Sequence, residues 1–159
     1  MTYLYAHCSG QIDSSPFKGL SKAIIDSTPT LSTLETITFR MSWTTPFTGI
    51  SEELVQLSLS DGNVLEKIRI NLYCCRLLQK VFLGYFKGFD QDIEWTRFRH
   101  LRELEVNIYS KVGVPDEPQG RNFIRDNETG IRDSFTGFRN RGGDEVMVKV
   151  FTHPIIPDD

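Results

Sequence analysis

Side chains suited to acid–base chemistry are scarce in this sequence. It contains three histidines, His7, His100 and His153. A histidine becomes an efficient general base when its ring is held beside the proton that it removes. His100 instead lies next to Arg99 and close to Arg102, directly before a predicted strand, which is a poor place for a general base. We therefore expect no catalytic histidine.

Motifs that would supply other chemistry are absent as well. The sequence has no nucleophile elbow, no phosphate-binding loop, no HExxH pair and no dinucleotide fingerprint. Its carboxylates are numerous, but no motif pairs them, and its cysteines and histidines lack the spacing of a zinc site. We therefore predict a protein that is not an enzyme, with no catalytic residue, no bound metal and no cofactor.

The charge balance bears on the kind of partner. The net charge is −3 at pH 7, so the chain lacks the basic field that supplies most non-specific affinity for nucleic acid or for an anionic membrane surface. The segment 139–143 has an Arg-Gly character found in some RNA-binding tails, but one copy is more typical of a tight loop before a strand. We expect a protein partner, with no nucleic acid and no membrane.

Cysteine usage bears on the compartment. The three cysteines are Cys8, Cys74 and Cys75, an odd number, and residues 1–10 have neither a basic start nor a long apolar run. This combination favours reduced thiols and a cytoplasmic or nuclear location.

A repeated apolar pattern indicates the elements that would position a binding site. The pattern consists of a large apolar residue, two free positions, an apolar residue, one free position and another apolar residue. It occurs at 34–39, 54–59, 78–83 and 101–106, with start-to-start spacings of 20, 24 and 23 residues. Repeats of about 20–29 residues built in this way are typical of leucine-rich arrays.

The pattern predicts an α/β fold of a particular kind. Side chains of a strand alternate between two faces, so the last two apolar residues of each copy point to the same side. We predict a short leucine-rich-repeat-like solenoid with parallel strands near 35–39, 55–59, 79–83 and 102–106. The alternating valines Val146, Val148 and Val150 predict a last strand near 146–151.

Composition divides the chain into three parts. We assign 1–110 to the leucine-rich-repeat-like array, 111–136 to a polar insertion or mobile loop, and 137–159 to the closing strand and tail. The middle part is rich in proline, glycine and charge and poor in apolar residues, which is typical of a long loop.

One further copy of the pattern lies out of register with the others. It begins at Leu65, and we interpret it as part of a helix at 64–75, because Leu65, Ile68, Leu72 and Cys75 fit one helical face. Such a copy keeps an alternative open. In that alternative the spacing is accidental, and the chain is a small α/β enzyme or ligand-binding domain.

The segment at 95–106, Trp-Thr-Arg-Phe-Arg-His-Leu-Arg-Glu-Leu-Glu-Val, resembles the C-terminal leucine-rich repeats of fungal F-box-type proteins, especially those of mushroom-forming basidiomycetes. In that family a turn with a tryptophan leads through a phenylalanine and Leu-Arg-x-Leu into a strand. The segment at 138–143 before the valine-rich strand is similar to the family's last repeat, and 31–39 fits the same pattern.

The resemblance implies that the chain is the substrate-binding part of an F-box-type ubiquitin-ligase receptor. No F-box helical motif is visible at the N-terminus. Contact with the ligase adaptor would then require a segment absent from this sequence, and the other possibility is a stand-alone repeat protein without ligase linkage.

Outward-facing strand residues are the candidate binding residues. Those expected on the concave face are Arg40, Gln56, Lys80, Phe82, Glu103, Glu105 and Asn107. Phe82 would be an exposed aromatic anchor, unless the loop at 84–89 or the insertion covers it. The two glutamates would favour a basic partner, although a solvated strand face explains them equally. We also expect Glu105→Lys to leave stability nearly unchanged, since a concave-face residue lies in solvent.

Overall fold

The chain forms one parallel β-sheet with helices in its crossovers. The computed structural model describes residues 2–7, 17–42, 47–74, 81–110, 118–141 and 146–154. The strands are β1 (Thr2–His7), β2 (Leu34–Ser42), β3 (Lys67–Cys74), β4 (Glu103–Ser110) and β5 (Met147–Pro154). The helices are α1 (Leu20–Asp26), α2 (Thr28–Leu31), α3 (Thr48–Ser58), α4 (Val81–Asp92), α5 (Pro118–Ser134) and α6 (Thr136–Asn140), with a 3₁₀ turn at Trp95–Arg97.

The order of strands in the sheet is the order in the sequence. Each strand pairs in parallel with the next, from β1 to β5. A parallel pair requires a crossover, and crossovers of one hand along a sequential sheet place their helices on the same face. The contacts agree with this, because α1 packs on α3, α3 on α4, and α4 on α5. The α/β class is therefore confirmed, with one sheet and one helix layer.

Two rows of apolar side chains cross the sheet in register and face the helix layer. The rows are Ile37, Ile68, Leu104 and Val148, and Phe39, Ile70, Val106 and Val150. All of these side chains are buried in one core with the apolar residues of the helices. Burying each of them is worth roughly 1.5–3 kcal/mol, so this alternation alone determines which face of the sheet meets the helices.

Some of the predicted strands are confirmed and others are wrong. The strands predicted near 35–39, 102–106 and 146–151 correspond to β2, β4 and β5. Residues 55–58 of the predicted strand 55–59 belong to helix α3 instead. Residues 81–83 of the predicted strand 79–83 belong to helix α4. Residues 79 and 80 lie outside the described residues. The helix predicted at 64–75 is also wrong, since most of that stretch is β3.

The copy of the pattern at 54–59 is helical for a reason visible in its last position. Ile50, Leu54 and Leu57 are buried and follow helical spacing, while Leu59 is 55% exposed. An i, i+4, i+7 series lies on one face of a helix, whereas a residue two after Leu57 does not. The pattern alone could not distinguish the two, because its first two apolar positions fit either element.

The copy that begins at Leu65 occupies a position in the sheet similar to that of the copy at Leu34. Leu34, Leu65 and Leu101 are all buried just before or at the start of a strand. The backbone bonds repeat as well: Glu66 donates to the carbonyl of Glu35, and Arg102 donates to that of Glu66, both at 2.8 Å. The spacings from Leu34 to Leu65 and from Leu65 to Leu101 are 31 and 36 residues, longer than predicted.

The segment predicted as a polar insertion or mobile loop at 111–136 is helical from Pro118 to Ser134. Residues 111–117 lie outside the described residues. Proline is well tolerated at the first position of a helix, where no intrahelical N–H is needed. The helix α5 packs on α4 and β5 and buries Ile131. Its narrow apolar stripe explains why composition alone indicated a loop.

A buried carboxylate joins two helices that are distant in sequence. Glu53 of α3 accepts hydrogen bonds from the backbone N–H groups of Gly19 and Ser21, at 2.8 and 2.6 Å, where α1 begins. Gly19 has a φ of +88°, a conformation that glycine adopts without strain. Because the first N–H groups of a helix lack intrahelical partners, each such bond fixes the entry of one helix against its neighbour.

Candidate functional site

The face of the sheet opposite the helix layer carries polar and aromatic side chains in four rows. We call the alternate residues of β2–β5 that point away from the helices the polar face. Its rows are Thr36, Lys67, Glu103 and Met147; Thr38, Arg69, Glu105 and Lys149; Arg40, Asn71, Asn107 and Phe151; and Ser42, Tyr73, Tyr109 and His153. The positions of β1 in register with this face are Tyr3, Tyr5 and His7.

Both glutamates of the polar face are paired with cations. Glu105 accepts from Arg69 Nε at 2.6 Å and from Lys67 Nζ at 2.5 Å. Glu103 lies 2.5 Å from Lys67 Nζ and 2.7 Å from Lys149 Nζ. One lysine therefore bridges two carboxylates across β3 and β4, and the network extends to β5.

Burial and pairing act in opposite directions on these groups. Burial by itself would raise the pKa of Glu105, but hydrogen bonds from Arg69, Lys67 and Asn107 lower that pKa to about 2. For Glu103, burial again opposes ionisation, and the bonds from Lys149 and Lys67 lower its pKa below the ordinary value. Burial would lower the pKa of Lys67, but its bonds to both glutamates raise it. The network therefore holds its charges at neutral pH.

An amide connects this network to a histidine. The side-chain NH₂ of Asn107 donates to Asn71 Oδ1 at 3.0 Å and to Glu105 Oε1 at 2.7 Å. The Oδ1 atom of Asn107 is then the acceptor in its 3.1 Å contact with His153 Nε2. With Asn107 in this orientation, His153 donates this bond through Nε2.

The fourth row is a stack of rings. The ring centroids of Tyr73 and Tyr109 are 4.6 Å apart with planes 9° from parallel, and those of Tyr109 and His153 are 4.8 Å apart. The guanidinium of Arg40 lies 4.5 Å from the centroid of Tyr73. These separations match the spacing of adjacent strands, about 4.8 Å, so the rings stand on edge. The surface therefore presents ring edges, and stacked faces are available only at the ends of the row.

Four of the predicted binding residues do lie on the polar face. They are Arg40, Glu103, Glu105 and Asn107. Gln56 does not, because it is an exposed residue of helix α3. Phe82 is in helix α4, so it cannot be the strand anchor that we predicted, and Lys80 lies outside the described residues.

The contacts of Glu105 change two of our predictions, one on stability and one on the partner. Glu105 is only 9% exposed and is held by three donors, so Glu105→Lys would place a third cation beside Lys67 and Arg69 and is expected to destabilise the protein. Because cations already neutralise Glu103 and Glu105, these glutamates give no reason to expect a basic partner.

Part of the polar face was missed because β3 was read as a helix, and the rest because the end of β4 and the outward residues of β5 were not considered. The residues missed are Lys67, Arg69, Asn71, Tyr73, Tyr109, Met147, Lys149, Phe151 and His153. A signal was present in the strict alternation of polar and apolar residues from 67 to 73, which is the period of a half-buried strand. The helical reading used Ile68 and Leu72 and ignored Ile70, which is also buried.

The helix side has an open depression lined by polar groups. Its lining includes Lys18, Ser51, Glu53, Gln56 and Asp92. Both carboxylate oxygens of Glu53 are used to hold α1, and Ser51 Oγ donates to Asp92 Oδ2 at 3.4 Å. Glu53, Ser51 and Asp92 therefore join helices, and the other polar groups of the lining are the exposed side chains of Lys18, Glu52 and Gln56.

Comparison with known proteins adds no relative. No family model matches the sequence, and neither curated proteins nor solved structures gave a match. Within the described ranges, no cluster of three or more His, Cys, Asp or Glu side chains could hold a metal ion. In the same residues, no helix has both the length and the apolar character needed to span a membrane.

Proposed function

We propose that this chain is a non-catalytic protein-recognition module that binds a partner through the polar face. One observation carries the proposal. Met147 and Phe151 are 51% and 44% exposed on β5, one on each side of Lys149, and all three belong to the polar face. Exposed apolar side chains beside a fixed charge are typical of an interaction surface.

The paired charges around this patch support recognition more than chemistry. The glutamates and cations are bonded to one another, and Asn107 connects them to His153. Such a network holds side chains in defined positions. A rigid surface binds a partner at a lower cost in conformational entropy than a mobile one does.

The proposal includes a specific architecture. We interpret the sequential parallel sheet and its single helix layer as a short leucine-rich-repeat-like solenoid with long repeats, and the polar face as its concave surface. If the resemblance to fungal F-box-type proteins holds, the bound partner is a substrate for ubiquitination, and an additional segment contacts the ligase adaptor.

An affinity experiment with matched surface variants tests the proposal. Tagged wild type, the double variant Met147→Ser/Phe151→Ser and the control Leu59→Ser are used to capture proteins from a lysate of the producing cells, followed by mass spectrometry. Leu59 is 55% exposed but lies after α3, away from the polar face. We expect specific partners with wild type and the control and their loss with the double variant.

The identity of the captured proteins separates the two levels of the proposal. Partners that are retained by Met147→Ser/Phe151→Ser and lost with Leu59→Ser would contradict binding through the polar face. A ligase adaptor among partners of a longer natural form would support the F-box interpretation, and captured substrates that are never ubiquitinated with that form would contradict it.

A further inference from the structure

The polar face has more positive than negative charge, and both of its carboxylates are paired with its own cations. Its described residues include four cations, Arg40, Lys67, Arg69 and Lys149, and two carboxylates, Glu103 and Glu105. Each of the four carboxylate oxygens lies within 2.7 Å of a cationic nitrogen of this face. The whole chain has a net charge of −3, so this face differs in sign from the average of the molecule.

Unused hydrogen-bond donors remain at two positions of the polar face. The guanidinium of Arg40 stacks on Tyr73, and this side chain makes no ion pair or hydrogen bond with any described residue. Lys149 has one partner in that part of the chain, Glu103, although an ammonium group has three donors. Both side chains are partly exposed. These two cations are therefore available to carboxylates of another molecule.

We propose that the partner recognised by this face is a protein segment that is extended and acidic, with one carboxylate bound at Arg40 and a second at Lys149. This inference rests on the proposed function and specifies its partner. Arg40 is in register with Phe151, three strands away and two residues beyond Lys149. At about 4.8 Å per strand and 3.3 Å per residue, the two cations are roughly 16 Å apart.

The separation of the two cations determines the spacing of the acidic residues. An extended peptide advances about 3.3 Å per residue and turns alternate side chains to the same face. The even spacing closest to this separation is four positions, about 13 Å along the peptide, and the long side chains of Arg40 and Lys149 cover the difference. Adjacent acidic residues are too close together. An apolar residue next to the second carboxylate would lie near Met147 or Phe151, which are exposed on either side of Lys149 along β5.

The ring stack favours a peptide over single-stranded nucleic acid. Proteins that bind single strands commonly present aromatic faces on which bases stack. The rings of Tyr73, Tyr109 and His153 instead stack on one another, with centroids 4.6 and 4.8 Å apart. Bases would therefore find no open ring face between these three rings.

Fluorescence anisotropy with synthetic peptides tests the inference. The probe is a labelled peptide of about ten residues with two glutamates four positions apart and leucines around the second. Controls have glutamines in place of both glutamates, or the two glutamates adjacent. We expect the spaced peptide to bind wild type at least about tenfold more tightly than either control, with affinity falling as salt rises.

Variants of the protein locate the binding. Arg40→Gln and Lys149→Gln are each expected to weaken binding of the spaced peptide several-fold, about three- to tenfold. Lys87→Gln is the matched control, because Lys87 is exposed on α4 of the helix layer. Unchanged thermal unfolding of all three variants shows that lost affinity is not lost folding.

Three results would overturn the inference: equal affinity for spaced and glutamine peptides, equal effects of Lys87→Gln and Lys149→Gln, or tighter binding of a single-stranded oligonucleotide than of the spaced peptide. The proposed function has its own readout. If captured partners depend on Met147 and Phe151 while acidic peptides do not bind, the acidic partner is wrong and recognition by the polar face stands.

Discussion

Asp90 of α4 accepts a hydrogen bond from the backbone N–H of Phe138 in α6, at 2.9 Å and 48 positions along the chain. The same carboxylate accepts from the N–H of Gly137 at 2.7 Å and from the indole N–H of Trp95 at 2.8 Å. It is 3% exposed. A single buried side chain thus holds the start of α6, the turn before β4 and helix α4 together.

Removing this carboxylate should be costly. Asp90→Ala leaves the backbone N–H groups of Gly137 and Phe138 without this acceptor, while the indole N–H of Trp95 keeps the backbone carbonyl of residue 90 at 3.1 Å. Each unsatisfied buried group costs about 1–3 kcal/mol, so we expect a loss of roughly 2 kcal/mol or more in the free energy of unfolding, measured by urea denaturation. The control Asp126→Ala, at an exposed position of α5, should change stability by less than about 0.5 kcal/mol. Equal effects of the two changes would contradict the role of Asp90.

Two glycine-to-alanine changes should have opposite effects on the free energy of unfolding. A Cβ at Gly137 would lie 2.9 Å from Asp90 Oδ2, an atom fixed by hydrogen bonding, whereas a Cβ at Gly88 meets nothing within 4 Å. We expect Gly137→Ala to destabilise by about 1–2 kcal/mol. Gly88→Ala should stabilise helix α4 by about 0.5–1 kcal/mol. Melting temperatures that shift in the same direction would show that the contact with Asp90 is not tight.

Stability should depend on the ionisation of Glu105. Its pKa is 4.5 ordinarily and about 2 in the folded chain. A depressed folded-state pKa contributes stability above the unfolded-state value, and this contribution is lost as pH falls from about 4.5 towards 2. Its upper value is about 3 kcal/mol.

Comparison with Glu105→Gln isolates this contribution. Urea denaturation near pH 6, pH 4 and pH 3 should show a difference between wild type and Glu105→Gln that shrinks as the pH is lowered from about 5 to about 2. Glu52→Gln, on the exposed side of α3, is the control and should differ little from wild type throughout. A difference for Glu105→Gln that stays constant across this range would contradict the assigned ion pairs.

A side chain of α5 accepts a hydrogen bond from one backbone N–H group of β5, the strand at the edge of the sheet. The backbone N–H of Thr152 donates to Glu128 Oε1 of α5 at 2.8 Å. An uncovered edge strand offers its N–H groups to a strand of another chain. We expect Glu128→Ala to increase concentration-dependent association, measured by sedimentation velocity. Asp126→Ala on the same helix should behave as wild type, and a similar rise in that control would assign the effect to charge alone.

Errors in the predicted fold came from one ambiguity in the apolar pattern. At 54–59 the pattern belongs to a helix, since Leu57 is buried and Leu59 is exposed, and at 65–70 it belongs to a strand, since both Ile68 and Ile70 are buried. The two copies share the spacing of their apolar residues but differ in sequence, Leu-Val-Gln-Leu-Ser-Leu at 54–59 and Leu-Glu-Lys-Ile-Arg-Ile at 65–70. Which apolar residues become buried is decided by packing against distant segments, and local preference does not override it.

The candidate site was likewise predictable only in part. Arg40, Glu103, Glu105 and Asn107 were predicted to face away from the helices, because alternation along a correctly identified strand is a local property. The pairing of Glu105 with Lys67 and Arg69 could not be predicted, since it depends on which strand lies beside β4.

By itself, the sequence determined the α/β class, the places of β2, β4 and β5, and the inward side of each, because these follow from alternating apolar residues within a few positions. Only the tertiary structure decided the position of β3, the helix at 118–134 and the net charge of the polar face. Those features depend on residues that are tens of positions apart, such as Lys67 and Glu103, and their contacts form only when parallel strands come together through long crossovers.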